Sequence, residues 1–469
     1  MGWRFLRCSF FSLLLICASA AWGQDVVNSS PAPVGSGARA LGMGGAFVAV
    51  ADDATAASWN PGGLTQLEDP EFSLVYSWKL FEEDFSRTNH IRPFDSPMDV
   101  DFDDLNYVSL AYPIPWTLGG RNLVVSLNYQ RKLDFDRALD FRATDIIPGL
   151  FTTQGSFDIK YRAEGGLGSL SPALGFEVSE KLSLGIAMNL WDSDILSNNH
   201  WKTRNDYKSR FGLVGGSPIV GSGEINETFS DYEATNYTLG LLYIPAKRLT
   251  VGAVYHTKYT AKVKTRKTSI SHYPIPSVST RTTHTETEWP EAVALGVAYR
   301  FPNDKLTVSA DVTWRPWDDY IKREERAPSN IAWRRTSPIT GLPKKLSPHD
   351  STYTVRLGAE YVFVKDNASK QDYLPSLRAG AFYDPEPASG RKHGFFGVTK
   401  GDGDPDDYYG FALGAGVLIK NRVNIDAAYQ YRWGRDVKAD TFAGSVPFEN
   451  GFSEDVDQHQ FYLSTVIYF

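Results

Sequence analysis

Between Lys305 and Arg315 the chain alternates strictly. Leu306, Val308, Ala310, Val312 and Trp314 fall on one face, and Lys305, Thr307, Ser309, Asp311, Thr313 and Arg315 fall on the other. A repeat of two is the repeat of a β-strand, whose successive side chains point to opposite faces. The pattern returns at Tyr353–Tyr361 and again from Val423 to Arg432, where charged residues share the polar face and aromatics crowd the apolar one. About fourteen such segments follow Asp69, at 71–79, 103–113, 120–132, 166–178, 181–191, 235–245, 248–262, 286–300, 305–316, 351–364, 374–384, 407–419, 422–433 and 458–469. A soluble sandwich would bury its apolar faces against a second sheet. An even number of strands with a polar inner face and an apolar, aromatic-rich outer face fits a closed barrel in a membrane.

Connection lengths give an independent test. Short links stand at Ser179-Glu180, Pro245-Ala246-Lys247, Pro302-Asn303-Asp304 and Lys420-Asn421-Arg422, and long polar stretches lie between them near 80–102, 133–165, 192–234, 263–285, 317–350, 385–406 and 434–457. Alternating short and long connections make one rim of turns and one rim of loops, with both termini at the turn rim on the periplasmic side. The final strand places Phe461, Leu463, Thr465, Ile467 and the terminal Phe469 on one face. An ending in Phe resembles the signal read by the outer-membrane barrel assembly machinery, so that machinery is expected as a partner during biogenesis, with Phe469 as its mark.

The N-terminus agrees with this compartment. Arg4 and Arg7 precede an apolar run, Phe10–Ala18, and Ala21-Trp22-Gly23 ends in small residues, so residues 1–23 read as a cleaved secretory signal. Both cysteines, Cys8 and Cys17, lie inside it, which removes cysteine metal sites and thiol catalysis from the mature chain. Loss of the signal takes two arginines and no acid from a chain of formal charge -7, and nothing suggests nucleic-acid binding. No later segment offers the roughly 20 apolar residues of a transmembrane helix. The expected location is the bacterial outer membrane, and the expected state a monomer.

Residues 24–69 do not alternate. They are rich in small residues, which permit close packing in a narrow space. Asp52 and Asp53 stand where they would cap a short helix over Ala54–Ser58, and Asn60-Pro61-Gly62-Gly63 would end it in a turn. Gly42, Gly44 and Gly45 lack the preceding strand and following Lys-Ser/Thr of a nucleotide loop, so they read as backbone packing.

The runs Gly42-Met43-Gly44-Gly45-Ala46, Ala51-Asp52-Asp53-Ala54 and Asn60-Pro61-Gly62 resemble the N-terminal hatch of the FadL/TodX family of transporters of hydrophobic compounds. The segments Leu377–Pro387 and Pro405–Gly416 are similar to that family's late strands, and the resemblance extends over most of the chain. One departure is Gly62, where the family usually has Ala after Asn-Pro. The resemblance implies an all-β transmembrane antiparallel barrel over residues 70–469, plugged by residues 24–69. It also implies passive uptake of long-chain fatty acids, alkanes or aromatic hydrocarbons, which pass a hatch and leave sideways into outer-membrane lipid. Gly42, Gly44, Gly45, Asp52, Asp53, Asn60, Pro61 and Gly62 are then the hatch and gating candidates. Asp52 and Asp53 could pair with Arg39 to lock the segment.

Pro172 and Pro290 interrupt strand-like segments. A proline cannot donate to a ladder, so either could open the wall or simply mark a bulge or strand start. The family's wall gap lies on an early strand, which favours Pro172. Asp402, Asp404, Asp406 and Asp407 offer oxygen ligands but no terminal Glu of a calcium loop, and a solvated loop tip is the plainer reading. The eight histidines are scattered and neither a Gly-x-Ser-x-Gly nor a His-Glu-x-x-His motif occurs, so no enzyme, cofactor or metal is expected. The rival reading is a PorV-like partner in secretion or attachment of surface proteins. A general porin ranks third, because an open pore needs no plug.

Overall fold

In a computed structural model of the chain, fourteen antiparallel strands follow one another around a closed ring. The described residues are 35–86, 100–115, 120–147, 153–196, 199–213, 219–324, 334–339, 343–365, 371–390, 393–394, 397–398, 401–438 and 453–469. The signal reading of residues 1–23 lies outside them. The ring strands are β1 Glu71–Ser86, β2 Val100–Pro113, β3 Leu123–Asp134, β4 Thr153–Ser179, β5 Leu182–Asp192, β6 Ile219–Ala246 and β7 Leu249–His256, continuing with β8 Ala292–Arg300, β9 Leu306–Arg315, β10 Thr352–Val362, β11 Tyr373–Tyr383, β12 Tyr408–Ile419, β13 Val423–Lys438 and β14 Ser453–Tyr468. Each pairs with the next, and β14 closes on β1 from Glu71 opposite Tyr468 to Ser86 opposite Ser453. Closure leaves no strand edge in the ring, so every backbone group at membrane depth can be paired within the protein.

The alternation decides which face meets lipid. Leu74, Leu110, Leu127, Leu239, Leu357, Leu413 and Leu463 are exposed on the outside, whereas their inward neighbours Ser73, Ser109, Asn128, Thr238 and Ser464 are buried. Tyr243, Tyr299, Phe301, Tyr361 and Phe363 form an aromatic girdle near the turn rim. No described helix is long and apolar enough to cross a membrane. The wall itself crosses it.

The predicted long loops are largely β-sheet. Arg137–Ile147, His200–Leu213, Tyr259–Tyr273, Ser277–Trp289 and Ile321–Glu324 extend the wall beyond the ring, pairing with the outer halves of β4 and β6 and with each other. These stretches stand in water on their outer face, so Thr, Ser, Lys and Arg replace the apolar half of the alternation. Ser277–Thr285 is the clearest case. The short turns fall where the spacing placed them, and Pro290 sits at the junction between Ser277–Trp289 and β8, as a strand boundary.

Candidate functional site

Residues 35–67 are mostly buried, and they bond to strands on opposite sides of the ring. Tyr107 and Ser109 of β2 donate to the Ala54 carbonyl at 2.9 and 3.0 Å. Across the ring, Ser309 of β9 donates to Ala46 O at 2.7 Å, and Asp311 accepts from Val48 N at 2.8 Å. Locally the segment is two short helices and a 3₁₀ turn. Ala38–Gly42 is α1, and it gives way at Gly44 and Gly45, whose φ of 66° and 76° belong to the left-handed region that favours glycine. Ala56–Trp59 is α2, ended by extended Asn60, and Pro61–Gln66 is the 3₁₀ turn with proline in its first position.

Asp52 and Asp53 do not cap a helix from Ala54. Asp53 accepts from Thr55 N at 2.8 Å and Thr55 Oγ1 at 2.6 Å, fixing the turn ahead of α2. Asn60 carries more of the local structure than a turn marker would. Its Oδ1 accepts from Gly62 N at 3.0 Å, while Nδ2 donates to Val48 O at 2.8 Å and to Leu241 O of β6 at 3.0 Å. One side chain thus ends α2, starts the 3₁₀ turn and ties it to the wall.

The wall meets this segment with glycines, one on each of eight strands. A Cβ on Gly185 of β5 would lie 2.1 Å from the Pro61 carbonyl carbon, and one on Gly240 of β6 would lie 2.3 Å from Asn60 Oδ1. Gly175, Gly252, Gly296, Gly358, Gly380 and Gly414 are similarly closed, against Leu64, Val48, Val48, Met43, Gly44 and Gly42. Several of these glycines follow an outward leucine: Leu174, Leu184, Leu239, Leu295, Leu357 and Leu413 are all exposed. A Leu-Gly pair recurring along strands therefore means lipid outside and a closely approaching backbone inside. This belt is written in the sequence as that repeated dipeptide, a signal that period-two alternation alone does not reveal.

On the β10–β13 side there is also an ion network. Arg39 contacts Asp52 and Glu360 (2.9 Å), with Asp53 at 3.4 Å; Arg378 then joins Glu360 to Asp426, at 2.7 Å each. Arg378 and Asp426 side chains are 3% and 2% exposed, so neither has water as a substitute partner. Burial opposes the charge of Arg39, yet Asp52 and Glu360 together hold its pKa well above the ordinary guanidinium value. Burial lifts the Asp52 carboxyl above the usual carboxylate range, against the pull of Arg39. The expected pairing of Asp52 and Asp53 with Arg39 is present, and Glu360, Arg378 and Asp426 complete it.

A cavity of about 330 Å³ lies against Gly44, Gly45, Val48 and Trp59 of the segment. One side is aromatic: Trp191 stacks on Tyr259 (centroids 5.8 Å apart), Tyr259 stacks on Trp289 (5.9 Å), and Trp317 also lines the cavity. Three of the cations lining it are paired with acids, Lys79 with Asp134 (2.6 Å), Arg356 with Asp384 (3.6 Å) and Arg432 with Glu386 (2.6 Å). Lys132 and Arg315 differ, for no acid lies within ion-pair distance of either among the described residues. Arg315 instead lies over the Trp317 ring, 5.2 Å from its centre.

Pro172 of β4 is exposed and sits opposite Leu127 of β3. Toward β5 the paired positions run from Leu170 opposite Leu190 directly to Ala173 opposite Ala187, so the ladder skips Pro172. The described residues contain no group of three or more candidate metal ligands.

The family model for outer membrane protein transport proteins (OMPP1/FadL/TodX) matches residues 167–465. The chain belongs to this family. Among solved structures, a Pseudomonas aeruginosa FadL homologue aligns with a TM-score of 0.61 at 16% identity, over 94% of this chain and 100% of that one. The Pseudomonas putida toluene transporter TodX (0.52, 14% identity, 93% and 98%) and the Ralstonia pickettii toluene transporter TbuX (0.51, 15%, 93% and 98%) share the fold as well. No curated protein sequence matches. As an OMPP1/FadL/TodX member the chain is an outer-membrane β-barrel of a family that transports hydrophobic compounds.

Proposed function

We propose that this family member is a passive uptake route for hydrophobic molecules, with residues 35–67 acting as a hatch that plugs the lumen. A wide aqueous pore would gain nothing for an apolar solute, because each Å² of apolar surface kept in water costs about 25 cal/mol. A pocket walled by Trp191, Tyr259, Trp289 and Trp317 removes that cost. Sideways exit then avoids a second transfer into water. The interrupted β4–β5 ladder at Pro172 lies three residues from Gly175, which packs on Leu64, so this gap in the ladder adjoins the hatch.

The observation that carries the substrate choice is the pair Lys132 and Arg315. Cations with no acid within ion-pair distance among the described residues, beside an aromatic wall, suit an amphiphile with an anionic head, such as a long-chain fatty acid, better than a neutral hydrocarbon. At the C-terminus, Phe469 bonds its N–H to Pro70 O at 3.0 Å while its side chain is 72% exposed. That leaves the ring presented as an assembly signal would need it.

Uptake of labelled oleate and of toluene by a deletion strain carrying wild-type or Lys132→Met/Arg315→Met protein tests the reading. The double variant should lose at least tenfold of oleate uptake at low concentration and keep toluene uptake. Equal oleate uptake by the variant would remove the anionic-head assignment. Uptake of neither compound by the wild type, with loss of a surface protein in the deletion strain, would favour the PorV-like partner role instead.

A further inference from the structure

The sheet that rises beyond the ring has an outer face unlike the lipid-facing wall beneath it. A bulge near Asp231, whose φ is 54°, changes which residues of β6 face outward, and beyond it the outward positions turn polar. Two neighbouring rows of the register hold the unusual content. In the first, Lys202 and Arg266 flank Thr228, each directly opposite it, and the exposed Glu164 stands opposite Lys202 on its other side, beyond ion-pair distance. In the next, Arg162 stands directly opposite Arg204, followed by Asn226 and Thr268. All four cations are exposed, while Trp201, Thr203 and Phe229 between them face inward and are buried.

Like charges directly opposite each other destabilise a strand pair. Arg204 is partly compensated by Asp206 (3.0 Å) and Glu224 (3.3 Å). Lys202 and Arg266 have no acid within ion-pair distance among the described residues. Strands lie ~4.8 Å apart and alternate residues ~7 Å apart along a strand, so the four cations share an area on the order of 10 by 15 Å. Hydroxyl and amide side chains sit among them. A phosphate needs the cations, and a sugar needs the hydroxyls and amides.

Height decides which phosphate-bearing sugar. Thr228 stands nine residues beyond Tyr237, a lipid-facing aromatic on the same strand that is 41% exposed. At ~3.3 Å per residue and a tilt of about 40°, the rows lie roughly 20 Å above that tyrosine. The outer leaflet there presents the phosphorylated saccharide of its glycolipid. We infer that the outward face built by Arg162, Lys202, Arg204 and Arg266 binds the phosphorylated saccharide of the outer-leaflet lipopolysaccharide. This clamp is independent of the transport path, because it faces away from the lumen.

Binding of purified lipopolysaccharide to the full-length detergent-solubilised protein tests the inference. The variant Arg162→Thr/Lys202→Thr/Arg204→Thr/Arg266→Thr keeps strand-forming residues, and Lys181→Thr/Lys247→Thr at the turn rim serves as control. Near-ultraviolet circular dichroism and oleate uptake report that the fold and path are intact. The quadruple variant should bind at least tenfold more weakly, the control should bind like wild type, and dephosphorylated lipopolysaccharide should bind wild type as weakly as the variant. Should the quadruple variant fail to fold, Lys202→Thr/Arg266→Thr alone should still weaken binding several-fold. Equal binding by folded variants would overturn the site. So would indifference to dephosphorylation, or saturation by inorganic phosphate alone with no added affinity from the saccharide. Loss of an acidic surface protein from the variant, with unchanged lipopolysaccharide binding, would assign the face to a protein instead.

Discussion

The two sides on which the wall holds residues 35–67 are built differently. From β4 to β8 the contact is close packing against glycine, joined by neutral hydrogen bonds from Asn60 and Thr65, with Gly175, Gly185, Gly240, Gly252 and Gly296 admitting Leu64, Pro61, Asn60 and Val48. From β10 to β13 the glycines Gly358, Gly380 and Gly414 are joined by Arg39, Glu360, Arg378 and Asp426, four buried or half-buried charges in one network. Backbone packing against glycine is short-ranged and is lost after a small displacement. A buried ion network cannot be partly undone without stranding a charge in a poorly solvated space. If residues 35–67 act as the proposed hatch, this difference predicts a hinge on β10–β13 and release on β4–β6, beside the ladder gap at Pro172.

Arg378→Met should break the hinged side most severely. It strands Asp426 and leaves Glu360 with Arg39 alone, at a cost of about 3–5 kcal/mol, read as a lower urea midpoint of the folded barrel in detergent. Gly185→Val acts on the other side by pressing a side chain into Pro61, at about 1–3 kcal/mol. Its signature should be different: faster protease cleavage near Asn60 with little change in the barrel's own midpoint. Asn60→Ala removes the tie to Val48 and Leu241 and leaves the Gly62 N–H without its acceptor, at about 1–2 kcal/mol, and should raise leak of small solutes in a liposome-swelling assay. Pro172→Thr is the smallest change in stability, a fraction of a kcal/mol, but it restores a donor to the β4–β5 ladder and should slow uptake several-fold. If Arg378→Met and Gly185→Val loosen the same protease sites equally, the two sides are not distinct.

The ring was legible because each of its strands has one face in lipid, which forces apolar residues at every second position. Lys305–Arg315 announced β9 for that reason. Where lipid ends the constraint ends, and Ser277–Thr285 reads as loop although it pairs along its length with Tyr259–Tyr273. Within the site, Asn60 and the acids Asp52 and Asp53 were visible as a local motif. Arg39 was visible as the acids' partner, but the rest of the network was not, since Glu360, Arg378 and Asp426 come from strands hundreds of residues away and look like ordinary lumen-facing charges. Lys132 and Arg315 were hidden for the same reason. A cation without an acid is a property of three-dimensional neighbours.

The claim that the hatch must leave the β4–β6 side can be tested by a covalent tether there. Thr65 Oγ1 donates to Ser183 Oγ of β5 at 2.7 Å, so Thr65→Cys/Ser183→Cys places two thiols within bridging reach, and the sequence's own cysteines, Cys8 and Cys17, both precede residue 24. Oleate uptake should be abolished in the oxidised form and return on reduction, while a tether on the hinged side, Leu41→Cys/Gln430→Cys, should leave most uptake intact. Full uptake by the oxidised Thr65–Ser183 tether would contradict the account.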